Sequence, residues 1–134
     1  IWQQSKISSL DSVIAALANK LSTTYISSDG DSIEVYAPIK NSTVSSPLNI
    51  VGQVPGGWAY EAVFPVTLKD GNGQIITRTT ARVTGDWTSG ESTLFYATLE
   101  FNSATTSGGT LVIEKDNPSG LEENAGSVEI PVLF

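Results

Sequence analysis

The stretch EKDNPSGLEENAG, residues 114–126, sets four carboxylates and two asparagines among one proline and two glycines. Calcium takes about six to eight oxygen ligands from carboxylates, amides and backbone carbonyls. Asp116, Asn117, Glu122 and Glu123 are the residues that could supply them here. Their spacing does not follow an EF-hand loop. Pro118-Ser119-Gly120 and Ala125-Gly126 are turn residues. The preferred reading is therefore a turn whose acids keep a connection solvated, with no cofactor expected and calcium as the alternative. A second chemistry is aromatic. Trp58 follows Pro-Gly-Gly and Trp87 follows Gly-Asp, which places both near loop tips, where they either stand exposed or cap the ends of the sandwich, and Tyr96 adds a third amphipathic ring. Such rings suit a protein groove or a sugar. Tyr60 is expected in the core.

Most catalytic chemistry lacks its parts. The chain has no histidine and no cysteine, so Ser-His-Asp and Cys-His nucleophiles, His/Cys zinc cages and disulfides are all excluded. No lysine has a serine three residues before it, and no glycine-rich phosphate cradle occurs. A glycosidase-like carboxylate pair would need two acids held about 5–10 Å apart across a cleft, which small sandwiches usually lack. An enzyme is not expected.

At 134 residues the chain suits one domain able to bury a core by packing alone. It begins at Ile1 without methionine, as expected of a processed or trimmed product. No apolar run approaches the roughly 20 residues that span a bilayer. The formal charge of −7 is uneven: residues 1–85 hold six acids against six bases, whereas 86–134 hold eight acids against Lys115 alone. Nucleic acid demands a basic footprint, so it is not an expected partner.

Two textures organise the chain. In residues 1–28, Ile7, Leu10, Ile14, Leu17 and Leu21 recur at spacings of three and four, one stripe of an amphipathic helix. Ser8 or Ser9 can cap it, and Asp11 suits its first turn. The helix either docks on the domain or serves oligomerisation, and Ile1-Trp2 could continue an upstream membrane anchor. The turn-rich Ser27–Ser32 reads as a linker. From there to the end the period is two. Phe64, Val66 and Leu68 share a face with Tyr60 and Ala62; Phe95, Ala97, Leu99 and Phe101 share another; Val128, Ile130, Val132 and Phe134 a third. With four further runs, this predicts an all-β, immunoglobulin-like β-sandwich of about seven antiparallel strands over residues 29–134, preceded by one N-terminal amphipathic helix and linker over 1–28. KDGNGQ reads as a hairpin turn. Pro65 argues for an edge strand or a bulge.

The series SPLNIVGQV, WAYEAVFPVTLKDGNGQII, TGDW, LFYATLEF and GTLVIEKDNPSGLEENAGSVEIPVLF, from about Ile33 to Phe134, resembles the bacterial immunoglobulin-like domain family associated with spore germination. The resemblance implies an extracytoplasmic domain of the bacterial envelope or surface, carried on lipoproteins or membrane-anchored proteins, with no catalytic residues to transfer. The expectation is a non-catalytic protein-interaction or adhesion module. The alternative is a module for cell-wall glycan that uses the loop tryptophans.

Overall fold

The structure, a computed structural model, describes residues 22–102 and 104–134. Eight strands run through it: β1 (Thr23–Ile26), β2 (Ser32–Ala37), β3 (Leu48–Val54), β4 (Val63–Asp70), β5 (Ile75–Val83), β6 (Thr93–Leu99), β7 (Gly108–Glu114) and β8 (Ser127–Leu133). Every ladder is antiparallel, in the order β1-β2-β3-β6-β5-β4-β7-β8. The sheet folds over at β5. That strand pairs with β4 from Ile75 to Arg82 but meets β6 only through Arg82↔Tyr96 and Val83↔Phe95. Beyond the corner, Phe64 of β4 and Phe95 of β6 face each other across the core, ring centroids 5.0 Å apart and 73° between planes.

Alternation builds that core. Ile33 and Val35 of β2, Ile50 and Val54 of β3, and Phe64, Val66 and Leu68 of β4 are buried, as are Phe95, Ala97 and Leu99 of β6 and Val128, Ile130 and Val132 of β8. Each set sits at period two, the pleat of a strand with one face inward. Two close approaches need glycine. A Cβ at Gly52 would lie 2.3 Å from the Glu34 carbonyl oxygen and 2.6 Å from the Phe95 ring. At Gly109 it would lie 2.2 Å from the Lys69 carbonyl oxygen and 2.7 Å from the Phe134 ring. The far edge of the sheet is also covered: Thr43 forms a parallel bridge with Leu133, the Val44 N–H donates to the Leu133 carbonyl at 2.8 Å, and the Leu133 N–H donates to Ser42 at 2.9 Å.

Several expectations are corrected. The sandwich has eight strands rather than about seven, because Thr23–Ile26, within the stretch read as helix and linker, pairs with β2. Its TTYI run of β-branched and aromatic residues fits a pleated surface better than a helix. No α-helix occurs among the described residues. The stripe from Ile7 to Leu21 lies outside them, so oligomerisation through an N-terminal helix and an upstream anchor receive no support. Of the stretch read as a linker, residues 27–31 form a turn joining β1 to β2, closed by the Ser27 N–H donating to the Asp31 carbonyl at 2.8 Å, and Ser32 already belongs to β2. Pro65 lies in a central strand. It is accommodated because it pairs only with Thr80 of β5, one residue before the β7 ladder begins at Val66. KDGNGQ forms the expected hairpin, with Gly73 at φ 81° and the Asp70 carboxylate accepting from the Asn72 and Gln74 N–H groups.

Leu99→Ala removes a side chain only 1% exposed and is expected to cost about 2–5 kcal/mol in denaturant unfolding. Gly52→Ala, an addition of one methyl, is expected to cost about 1–3 kcal/mol by overpacking against Phe95 and the Glu34 carbonyl. Wild-type stability in either variant would contradict the packing described.

Candidate functional site

Antiparallel connectivity gathers four loops at one end of the sandwich: 27–31, 55–62, 84–92 and 115–126. They are locked together. The Asp116 N–H donates to the Trp58 carbonyl at 3.0 Å, and the Ser28 N–H donates to Ser127 at 3.0 Å. Gly56 runs against the backbone of Gly90, where a Cβ would sit 2.2 Å from the Gly90 carbonyl oxygen. At the centre is Trp58, fully buried, its indole Nε1 without an acceptor among the described residues.

Trp58 is therefore core, the second of the two readings open to it, exposed at a loop tip or capping the end of the sandwich. Tyr60 shows the opposite. It was expected inside, yet it is 47% exposed. The cause is a short 3-10 turn, Tyr60–Ala62, in which Glu61 (φ 54°) and Ala62 (φ 71°) both adopt the left-handed conformation. Two such residues without glycine cost roughly 1–3 kcal/mol each. They break the period-two pattern before β4 begins, and Tyr60 turns outward. Its ring meets half-buried Trp87 edge-on, centroids 5.2 Å apart and planes at 61°. Tyr96 is exposed in the middle of β6, opposite Arg82 and Val51, away from the strand ends. The structure thus pairs Trp87 with Tyr60 and leaves Trp58 and Tyr96 elsewhere. An outward Tyr60 had no signal in the sequence, since WAYEAVF alternates through it without a break.

The loop 115–126 closes on itself. The Asn117 side-chain amide donates to the Leu121 carbonyl at 2.8 Å, while its oxygen accepts from Ser119 Oγ at 2.6 Å. Asn124 Nδ2 donates to the same Ser119 Oγ at 3.0 Å. Both polar ends of Asn117 are thereby engaged in the turn. Asp116, Glu122 and Glu123 do not converge, and no group of three or more acidic side chains suited to a metal ion occurs among the described residues.

One ion pair ties this loop to the first. Lys115 Nζ lies 3.2 Å from Asp29 Oδ2, and Asp29 also accepts from Ser27 Oγ. Gly126 makes room, because a Cβ there would lie 2.6 Å from the Asp29 carboxylate. Burial acts to raise the Asp29 carboxyl, but the Ser27 and Lys115 hydrogen bonds and the Lys115 charge outweigh it and hold it below its ordinary value. Burial and the charge of Asp29 push Asp31 the other way, upward. Together the four loops hold eight carboxylates and one amine, Lys115, a net charge equal to that of the whole chain. The three loops at the opposite end hold Lys40 and Glu100 and are neutral. In the groove of about 460 Å³ beside β5 at that end, Glu100 is the only ionisable residue among the described ones that line it, so no carboxylate pair from these residues faces it.

The loops and the cysteine-free sandwich define a small immunoglobulin-like module. The chain belongs to the immunoglobulin-like domain family of bacterial spore germination (Gmad2), whose family model matches residues 32–122. That stretch starts with β2 and stops inside the last loop, so β1 and β8 lie outside it. No curated protein and no solved structure matches the chain.

Asp29→Asn should lower the melting temperature at pH 7. An acid whose folded pKa is depressed contributes stability above its unfolded value, near 4, and loses it as pH falls through the folded value. The gap between variant and wild type should therefore narrow in melts taken below about pH 4, and a gap that persists there would assign the effect to packing. Asp31 contributes with the opposite sign, so the comparison is made on the single variant. Added calcium or chelator should leave the melting temperature unchanged, since only a ligand of the native state shifts it. A saturable rise abolished by Asp116→Ala would mean that the loop opens to bind the ion.

Proposed function

We propose that this domain is a protein-interaction or adhesion module of a bacterial envelope or surface protein, working from outside the cytoplasm. The observation that carries the reading is the Tyr60–Trp87 pair, held outward by two left-handed residues at the acidic end of the sandwich. Strain kept at an exposed aromatic side chain favours a role in contact over one in packing. The absence of histidine and cysteine supports a role without chemistry. Membership of a family named for spore germination supports the envelope setting.

The glycan alternative loses its main support. It relied on loop tryptophans, and Trp58 is buried. The remaining pair is crossed at 61°, where stacking on a sugar ring calls for a flat platform.

The domain should bind bacterial envelope fractions saturably. Protease treatment of those fractions should abolish binding, and digestion of their glycan with muramidase should leave it intact. Binding that survives protease and disappears with the glycan would replace this reading with the alternative.

A further inference from the structure

Resting on that reading, we propose that Tyr60 and Trp87 anchor a docking site for a lysine- or arginine-rich segment of a protein partner. Two independent features choose this occupant. The first is ring geometry. The rings meet edge to face rather than stacked, and Tyr60, 47% exposed, keeps ring surface in contact with solvent. Aromatic faces carry negative charge density that attracts ammonium and guanidinium groups. The second is charge. The four loops at this end hold eight carboxylates, three of them in the two loops that bear the rings, with Glu61 directly after Tyr60 and Asp86 directly before Trp87. The single amine there is already committed, 3.2 Å from Asp29.

The polarity of the molecule sharpens the choice. The opposite loops are neutral, so the field has a direction and draws cations to the end that displays the rings. Acidic peptides, nucleic acids and anionic lipid would be repelled from it. A neutral glycan would gain nothing from it. Attraction steers the basic segment over about 8–10 Å at physiological salt, and the rings supply the short-range contact that distinguishes a docked side chain from a condensed counterion. Leu121, 53% exposed on the adjoining loop, offers apolar surface for the segment's aliphatic stems.

The test titrates the intact domain with hexalysine, hexa-arginine and hexaglutamate, following the indole N–H resonance of Trp87, assigned with Trp87→Phe. Both basic peptides should shift it saturably and hexaglutamate should not. Raising salt from 0.05 to 0.5 M should weaken binding by roughly tenfold or more, as the screening length shrinks. Tyr60→Ala, read on that resonance, and Trp87→Ala, read by titration calorimetry alongside the wild type, should each weaken it about fivefold, the worth of one exposed cation–π contact. Because these variants could disturb the loops, Glu61→Lys with Glu91→Lys forms a second arm. Both side chains are exposed, so this double variant should keep the melting temperature and still lose binding. Binding indifferent to both ring variants would reduce the site to a diffuse acidic field and overturn the proposal, as would no saturation with either basic peptide. If the ring variants also left protease-sensitive envelope binding intact, this inference would fall while the wider function stood. If envelope binding itself resisted protease, the wider function would fall first.

Discussion

The ring of Phe95 lies against bare backbone at Gly52, and the rest of the sandwich depends on that contact. With no cysteine to staple the two halves of the folded sheet, their separation is set by side chains alone. Phe64 and Phe95 meet edge to face at the centre, and Phe101 and Phe134 repeat the arrangement towards the neutral end, centroids 6.2 Å apart. Both pairs rely on a glycine in a neighbouring strand, Gly52 under Phe95 and Gly109 under Phe134. Two pairs of rings and two missing side chains thus do the work of a cross-link. Edge-to-face contacts add a fraction of a kcal/mol to about 1.5 kcal/mol beyond burial, so the main gain is geometric: the rings fix how far apart the halves stand.

Trp58 extends that logic to the loops. A buried indole is an unusual object to find in a connection between strands, and it converts the 55–62 segment from a tether into part of the core. Its carbonyl receives Asp116, and the neighbouring Gly56 meets Gly90, so three of the four loops at that end share one rigid seat. Rigidity there permits the strain at Glu61 and Ala62, because a left-handed pair persists only where its surroundings over-determine it. The acidic character and the exposed rings are therefore presented by a preorganised surface, which lowers the entropy lost on binding.

The sequence displayed the strand phases plainly. Period-two runs such as LFYATLEF put Phe95, Ala97 and Leu99 on one face whatever the partner strand, and the glycines of KDGNGQ announced their turn. It concealed features that only tertiary pairing decides. TTYI is four residues long, too short for its alternation to compete with the helical stripe before it, and it becomes a strand because β2 is there to receive it. Tyr60 stands outside where the alternation put it inside, and its exposure follows the backbone at Glu61 and Ala62, residue types that give no hint of positive φ. The acidic end was visible only as an excess in the C-terminal half. The antiparallel path adds Asp29, Asp31 and Glu61 from earlier in the chain to the same surface.

The closure along β8 bears on what crowded copies of this domain do to one another. SVEIPVL is rich in β-branched residues and would be a template for strand addition if its outer edge were bare. That edge is shielded at both ends. Ser28 donates to Ser127 at one end, and Asn41 and Val44 donate to Pro131 and Leu133 at the other. Between them stands the exposed carboxylate of Glu129, and Pro131 has no N–H to offer. On β5, whose outer side runs free of β6 until Arg82, the exposed Arg78 holds a similar position. Charge and occupied hydrogen bonds along β8, and charge on β5, thus oppose strand addition at those two places.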